Sequence, residues 1–195
     1  MKNEQQAQRM HANREEMASR IARAIREDGT LQPLKGLHLS RTSVPLKRVH
    51  SVSEPSVAVI AQGSKEVLLG ESRYHYDPSR YLLTTVELPR VSQILEASRE
   101  RPYLAVRLEL APTLVSSVMV EASGSLPRER AEVRAIDVSP MDDNLLDAFV
   151  RLVRLLDSPA DAQVLMPLIT REIIYRLLMG EQGARLRHLV MEGGY

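Results

Sequence analysis

Apolar and polar positions alternate with a period of two between Leu37 and Leu110, and the period lengthens to that of a helix toward the C-terminus. The segment Val57 to Leu88, VAVIAQGSKEVLLGESRYHYDPSRYLLTTVEL, divides into four short strand-like runs at Gly-Ser, Gly-Glu and Asp-Pro-Ser. β-Branched and aromatic runs cut by turn formers at this spacing predict an antiparallel meander that curls into a small barrel. Leu37, Leu39 and Arg41 share one strand face, and a Pro-containing connection is expected from Val44 to Pro55. Pro89 to Ala97 and Tyr103 to Leu110 are further strands. In the latter, Tyr103, Ala105, Arg107 and Glu109 share one face, and Leu104, Val106, Leu108 and Leu110 share the other. The leucine face is expected to pack on an apolar layer.

Helical patterns flank this region. Met10, Met17, Ile21 and Ile25 form a narrow stripe on an otherwise polar segment, residues 4–28, which predicts a loosely docked surface arm. Pro112 to Ala122 reads as a short helix with Pro at its start, Ser123 to Glu132 as a charged loop, and Val133 to Val138 as a short strand. Ser139-Pro140-Met141-Asp142 and Ser158-Pro159-Ala160-Asp161 each have the form of a helix start: a capping serine, Pro at the first helical position and an acid on the positive dipole end. The first of these helices carries the stripe Leu145, Leu146, Phe149, Leu152, Val153 and Leu156, with Asp147 and Arg151 ordered for an i,i+4 pair. The second contains Pro167, where a bend or restart is expected, and ends at Gly180. A short basic helix from Ala184 to Val190 follows, then Glu192-Gly193-Gly194-Tyr195, which reads as a linker or turn. The expected organisation is an N-terminal helical arm (1–30), a β-barrel (31–140) and a helical hairpin with the start of a linker (141–195), an α+β regulatory domain overall.

With 195 residues, 44% of them apolar, the chain can bury a sizeable core. Its N-terminus lacks the apolar stretch of a secretory signal, and no run is long enough to span a bilayer. Cysteine is absent, which excludes disulfides, thiol nucleophiles and zinc-thiolate sites and fits a cytoplasmic protein. A net charge of +1, with both signs interspersed, is that of a solvated surface, not a nucleic-acid grip. Arg185, Arg187 and His188 are too few to read DNA and suit a solvated linker helix.

Five motifs recur in a defined order: Gln62-Gly63-Ser64-Lys65, Tyr74-His75-Tyr76-Asp77-Pro78, Glu87-Leu88-Pro89, Ala97-Ser98 with Arg101-Pro102-Tyr103-Leu104, and the helical block Pro167 to Leu178. Together they resemble the N-terminal domain of AraC-type transcription regulators over roughly residues 30–190. The resemblance implies a cupin-like barrel that binds a small effector, and a helical hairpin able to mediate homodimerisation. It further implies two helix-turn-helix units beyond the last residue here, so that DNA would be met only through that missing part.

Catalytic chemistry finds little support. A cupin metal site needs two histidines two apart, an acid and a third histidine on a later strand. His75 instead lies between Tyr74 and Tyr76, and His11, His38, His50 and His188 are elsewhere. No G-x-S-x-G nucleophile turn and no phosphate-cradling glycine loop occur. No metal or cofactor is therefore expected. The alternative is a stand-alone cupin enzyme, a metal-dependent oxygenase or isomerase; a third reading is an interaction module with a filled barrel. Candidate effector ligands are the strand residues able to hydrogen-bond: Gln62, His75, Thr84, Glu87 and Tyr103. Period two places about half of any such set on the wrong face. Tyr74, Tyr76 and Tyr81 read as barrel packing with hydroxyls at the rim. Leu145, Phe149, Leu152 and Leu156 are the candidate dimer interface, because their stripe is wide enough to serve two surfaces.

Overall fold

The computed structural model describes residues 2–126 and 134–192. It has three layers: helices, a six-stranded sheet and a four-stranded sheet. A long helix α1 (Lys2–Ala24) precedes nine strands: β1 (Gly29–Leu34), β2 (Leu37–Thr42), β3 (Leu46–Ser53), β4 (Ser56–Gln62), β5 (Ser64–Leu69), β6 (Ser72–Tyr76), β7 (Arg80–Thr84), β8 (Leu88–Glu96) and β9 (Tyr103–Glu109). Then come α2 (Pro112–Ala122), β10 (Ile136–Pro140), α3 (Asp143–Arg154), α4 (Pro159–Met179) and α5 (Gly183–Glu192). The larger sheet has the order β1-β2-β9-β4-β7-β10, and the smaller β3-β8-β5-β6. All pairings between described strands are antiparallel. The sheets face one another without a hydrogen-bonded ladder between them, so the expected barrel is flattened and unclosed.

The central strands of the larger sheet, β9, β4 and β7, are buried on both sides. Leu104, Val106 and Leu108 of β9 join Val57 and Val59 of β4 in the core shared with the helices. Tyr103 and Ala105 of the same strand join Ile60, Leu82 and Ile136, and meet Val67 and Tyr76 of the smaller sheet. The leucine face thus packs on helices, and the tyrosine face lines the space between the sheets.

Gly63 makes the step from one sheet to the other. It has φ +87°, and an added Cβ would lie 2.4 Å from the Glu96 carbonyl oxygen and 3.2 Å from the Tyr103 Cα. Only glycine fits so close a backbone approach in that conformation.

Several expectations are corrected. The arm is firmly docked: Met17 and Ile21 are completely buried, and Arg154 of α3 holds Glu16 of α1. β1 was hidden by its exposed polar composition. The connection expected from Val44 to Pro55 contains β3, an edge strand whose Lys47, Arg48 and His50 are exposed. Charged edges of this kind discourage intermolecular pairing and blur the strand pattern. Ser139 and Pro140 end β10 and do not start a helix; α3 is capped by Asp142, whose carboxylate accepts from the Asn144 and Leu145 amides at 2.9 Å. The strand expected from Val133 is seen as β10, running through Pro140 because the register with β7 extends to Arg80. α4 continues through Pro167 without restarting and ends at Gly180. Most of the expected loop from Ser123 to Glu132, and residues 193–195, lie outside the described residues.

Candidate functional site

The space between the sheets carries positive charge. On β5, Lys65 lies opposite Tyr76 of β6 and two residues from the buried Val67, so it faces the interior. On β8, Arg90 shares its face with the buried Ser92. From the larger sheet, Arg107 is two residues beyond Ala105 and opposite His38 of β2 and Ala58 of β4. The three cations are close enough to feel one another. Burial and the charges of Arg90 and Arg107 pull Lys65 down to about 8. Arg90 is lowered too, chiefly by burial.

Aromatic hydroxyls adjoin these cations. Tyr76 and Tyr103 are both buried, one from each sheet, and their hydroxyls are hydrogen-bonded to each other. Burial pushes Tyr76 up to about 12 and Tyr103 well above its usual value. Neutral phenols and crowded cations are therefore what the interior holds near pH 7.

Carboxylates stand at the margin. Glu66 points to the outer face of the smaller sheet, where it accepts from Gln93 at 2.8 Å and lies 3.5 Å from Arg73. Glu54 is 3.8 Å from Arg107 and largely exposed. His38 and Glu109 are 2.5 Å apart. Among the described residues the buried Arg90 Nε and the Ser53 hydroxyl have no hydrogen-bond partner. Buried polar atoms are ordinarily satisfied, so unpaired donors in a cation-rich interior mark a place for an acceptor.

Two concavities adjoin this interior. A pocket of about 410 Å³ lies on the smaller sheet, lined by His50, Ser51, Leu68, Leu69, Pro89 and Arg90 among others. A groove of about 1000 Å³ runs between the end of β9, the connection at Glu54 and Pro55, and the first halves of α2 and α4. Glu54 lines the groove and also meets Arg107, so groove and interior are neighbours.

The expected ligand residues are dispersed. Thr84 and Tyr103 are buried on the interior face. Glu87 is exposed in the β7–β8 connection and lines the groove. Gln62 donates its side-chain amide to the Pro102 carbonyl at 2.7 Å, tying β4 to the start of β9. His75 is exposed on the outer face opposite Glu66, because Tyr74 and Tyr76 on either side of it turn inward. The tyrosine hydroxyls are not at a rim: Tyr76 meets Tyr103, and Tyr81, on the helix side, is hydrogen-bonded to Ser139.

Lys65, Arg90 and Arg107 were missed. The signal for Arg107 was present, since it shares the Tyr103 face of β9. Among the described residues no group of three or more His, Cys, Asp or Glu is placed to hold a metal ion. No helix among them is long and apolar enough to cross a membrane.

Of the expected interface, Leu145, Phe149 and Leu152 are fully buried in the chain's own core, while Leu156 is partly buried and packed against it. Among the exposed apolar positions, Val164, Leu168, Tyr175 and Met179 lie on α4.

The domain is thus two facing antiparallel sheets backed on one side by a helical layer. The sequence matches the family described as AraC-type transcriptional regulator N-terminus over residues 33–185. The chain belongs to this family and is a regulatory domain of that class. Its fold is similar to the apo form of a single-residue variant of ToxT from Vibrio cholerae strain SCE256, with a TM-score of 0.54 and 14% identity over 81% of this chain and 58% of that one. It is also similar to ToxT from Vibrio cholerae O395 bound to (E)-4-(8-methylnaphthalen-1-yl)but-3-enoic acid, with a TM-score of 0.51 and 11% identity over 81% of this chain and 65% of that one. At such identities the likeness is one of fold, and the chain spans less than two thirds of either protein. No curated protein matches the sequence.

Proposed function

We propose that this domain senses a small-molecule effector between its two sheets and passes the occupancy to its helices. In this reading it is a cytoplasmic, non-catalytic part of a transcription regulator, and DNA is read by another part of that regulator. The observation that carries it is the two-faced larger sheet. Tyr103, Ala105 and Arg107 of β9 face the polar interior, while Leu104, Val106 and Leu108 pack on the helices. A change on one side is transmitted through a single layer of backbone, because close-packed interiors yield little. The last helix is tied to the same sheet: Gln182 donates to the Ser139 hydroxyl at 2.8 Å, and Arg185 meets Asp137 at 2.5 Å. The bound organic acid in a ToxT structure of similar fold lends support to a small-molecule effector.

The domain also pairs with a second copy of itself through α4. Val164, Leu168, Tyr175 and Met179 recur at spacings of four, seven and four, forming one exposed apolar stripe. Such a stripe is self-complementary across a two-fold axis.

The test is a melting-temperature screen of the purified domain against charged and uncharged metabolites. A saturable rise with at least one compound is expected, since a ligand selective for the folded state raises the midpoint. No response to any compound would refute the sensing role.

A further inference from the structure

We propose that the effector is a small organic anion whose carboxylate or phosphate group is held between the sheets by Lys65, Arg90 and Arg107. This inference rests on the sensing role above and names the chemistry of its ligand. The cations come from three strands on two facing sheets, β5, β8 and β9, and each lies on the face turned to the other sheet. Burying like charges together is costly unless an opposite charge joins them. Among the described residues none of the three has a buried carboxylate partner: Glu54 touches Arg107 only from the exposed side, at 3.8 Å, and Glu66 is turned to the outer face.

The hydrogen-bond inventory points the same way. Among the described residues Arg90 Nε is a buried donor with no acceptor, and the Ser53 hydroxyl is likewise unpaired. The Tyr76–Tyr103 hydrogen bond uses one of the two hydroxyl protons, which leaves the other to donate. The set is rich in donors and lacks an anion. A guanidinium offers planar paired donors to an oxyanion, and an ammonium adds a point charge. The tyrosine rings, Ile60, Val67 and Leu82 give the remainder of the ligand an apolar bed. Glu54 stands beside Arg107 where the interior meets the 1000 Å³ groove. An arriving anion displaces it, and the groove lies against α2 and α4.

The experiment measures melting temperature and calorimetric binding for acetate, benzoate, decanoate, sulfate and inorganic phosphate at matched ionic strength. Acetamide, benzamide and decanamide serve as uncharged partners. At least one anion is expected to raise the midpoint by about 5–10 °C at roughly a hundredfold excess over its Kd, with no response to its amide. The carboxylate and phosphate arms tell the two headgroups apart. Arg90→Gln and Lys65→Met are each expected to weaken the bound anion by at least about tenfold. Lys65→Met is also expected to melt higher than the parent domain without ligand, which shows that it folds and that the cation is a cost borne for binding. Uncharged metabolites binding where no anion does would overturn the anion assignment and leave the sensing role intact. Silence from both classes would overturn both. An anion response unchanged in both variants would remove the site from the interior.

Discussion

Arg154 on α3 grips Glu16 on α1 in a two-pronged hydrogen bond, Nε to Oε1 and Nη2 to Oε2, both at 2.8 Å. Arg20 adds a third donor to the same carboxylate, also at 2.8 Å. The clamp converts a helix with a narrow apolar stripe into a fixed part of the helical layer. The Arg154 hydrogen bonds, helped by Arg20, hold Glu16 down at about 2, against the ordinary 4.5. Its folded-state value lies below its unfolded one, so the stabilisation is complete above about pH 4.5 and is lost as the pH falls toward 2. Glu16→Gln is expected to cost about 0.5–1 kcal/mol at pH 7, solvent screening included. Amide exchange within α1 should speed up in the same variant and in the parent domain at low pH. Unchanged α1 exchange would show that the apolar contacts alone hold the helix.

The contrast between α3 and α4 separates folding from association. Phe149 is wholly buried, so Phe149→Ala is expected to lower stability by about 3–5 kcal/mol. Leu168 is 59% exposed, so Leu168→Glu should leave the denaturation midpoint nearly unchanged while converting a dimer to a monomer in sedimentation equilibrium. A Leu168→Glu protein of undiminished mass would move the interface away from α4.

Gly63 links the two sheets, immediately before β5 begins at Ser64. Gly63→Ala must place a Cβ against the Glu96 carbonyl in a left-handed conformation. A loss of at least about 2 kcal/mol in urea unfolding is expected. The same substitution at Gly70, where an added Cβ meets nothing within 4 Å, should cost less. Equal costs at the two glycines would mean that the sheet crossing relaxes freely.

The interior charges leave a signature at alkaline pH. Lys65 has a folded-state value of about 8 against an ordinary 10.5, so it opposes folding fully below pH 8 and less as the pH rises toward 10.5. Arg90, Arg107, Tyr76 and Tyr103 are the charged or titratable groups facing it. Tyr76 acts in the other sense: raised to about 12 from 10, it stabilises fully below pH 10 and loses that contribution as the pH approaches 12. Ligand-free stability is therefore expected to climb between pH 8 and 10 and to fall beyond. Lys65→Met should abolish the climb, and urea midpoints across that range decide it.

Much of this was legible in the residues themselves. The alternation in YLAVRLEL separated Tyr103, Ala105 and Arg107 from Leu104, Val106 and Leu108, and the structure keeps those sets on opposite faces. The stripe of α3, the Asp147–Arg151 pair and the stop at Gly180 also followed from local spacing. Edge strands did not, because β1 and β3 are largely exposed and carry no periodic contrast. Nor did the start of α3: Ser-Pro is a helix-start signal in isolation, and here β7 recruits it as the end of a strand.

The amino-acid order by itself determined which residues share a face, which segments wind into helices, and which family the motifs resemble. Only the tertiary structure decided what each face meets. A sheet buried on both sides has no wet face to label the other as the inside. Three strands that are distant in sequence brought Lys65, Arg90 and Arg107 together, and no spacing rule spans that distance. The broad stripe of α3 was likewise consumed by the chain's own core, since α1, α4 and the larger sheet all pack around it and leave the outward side of α4 bare.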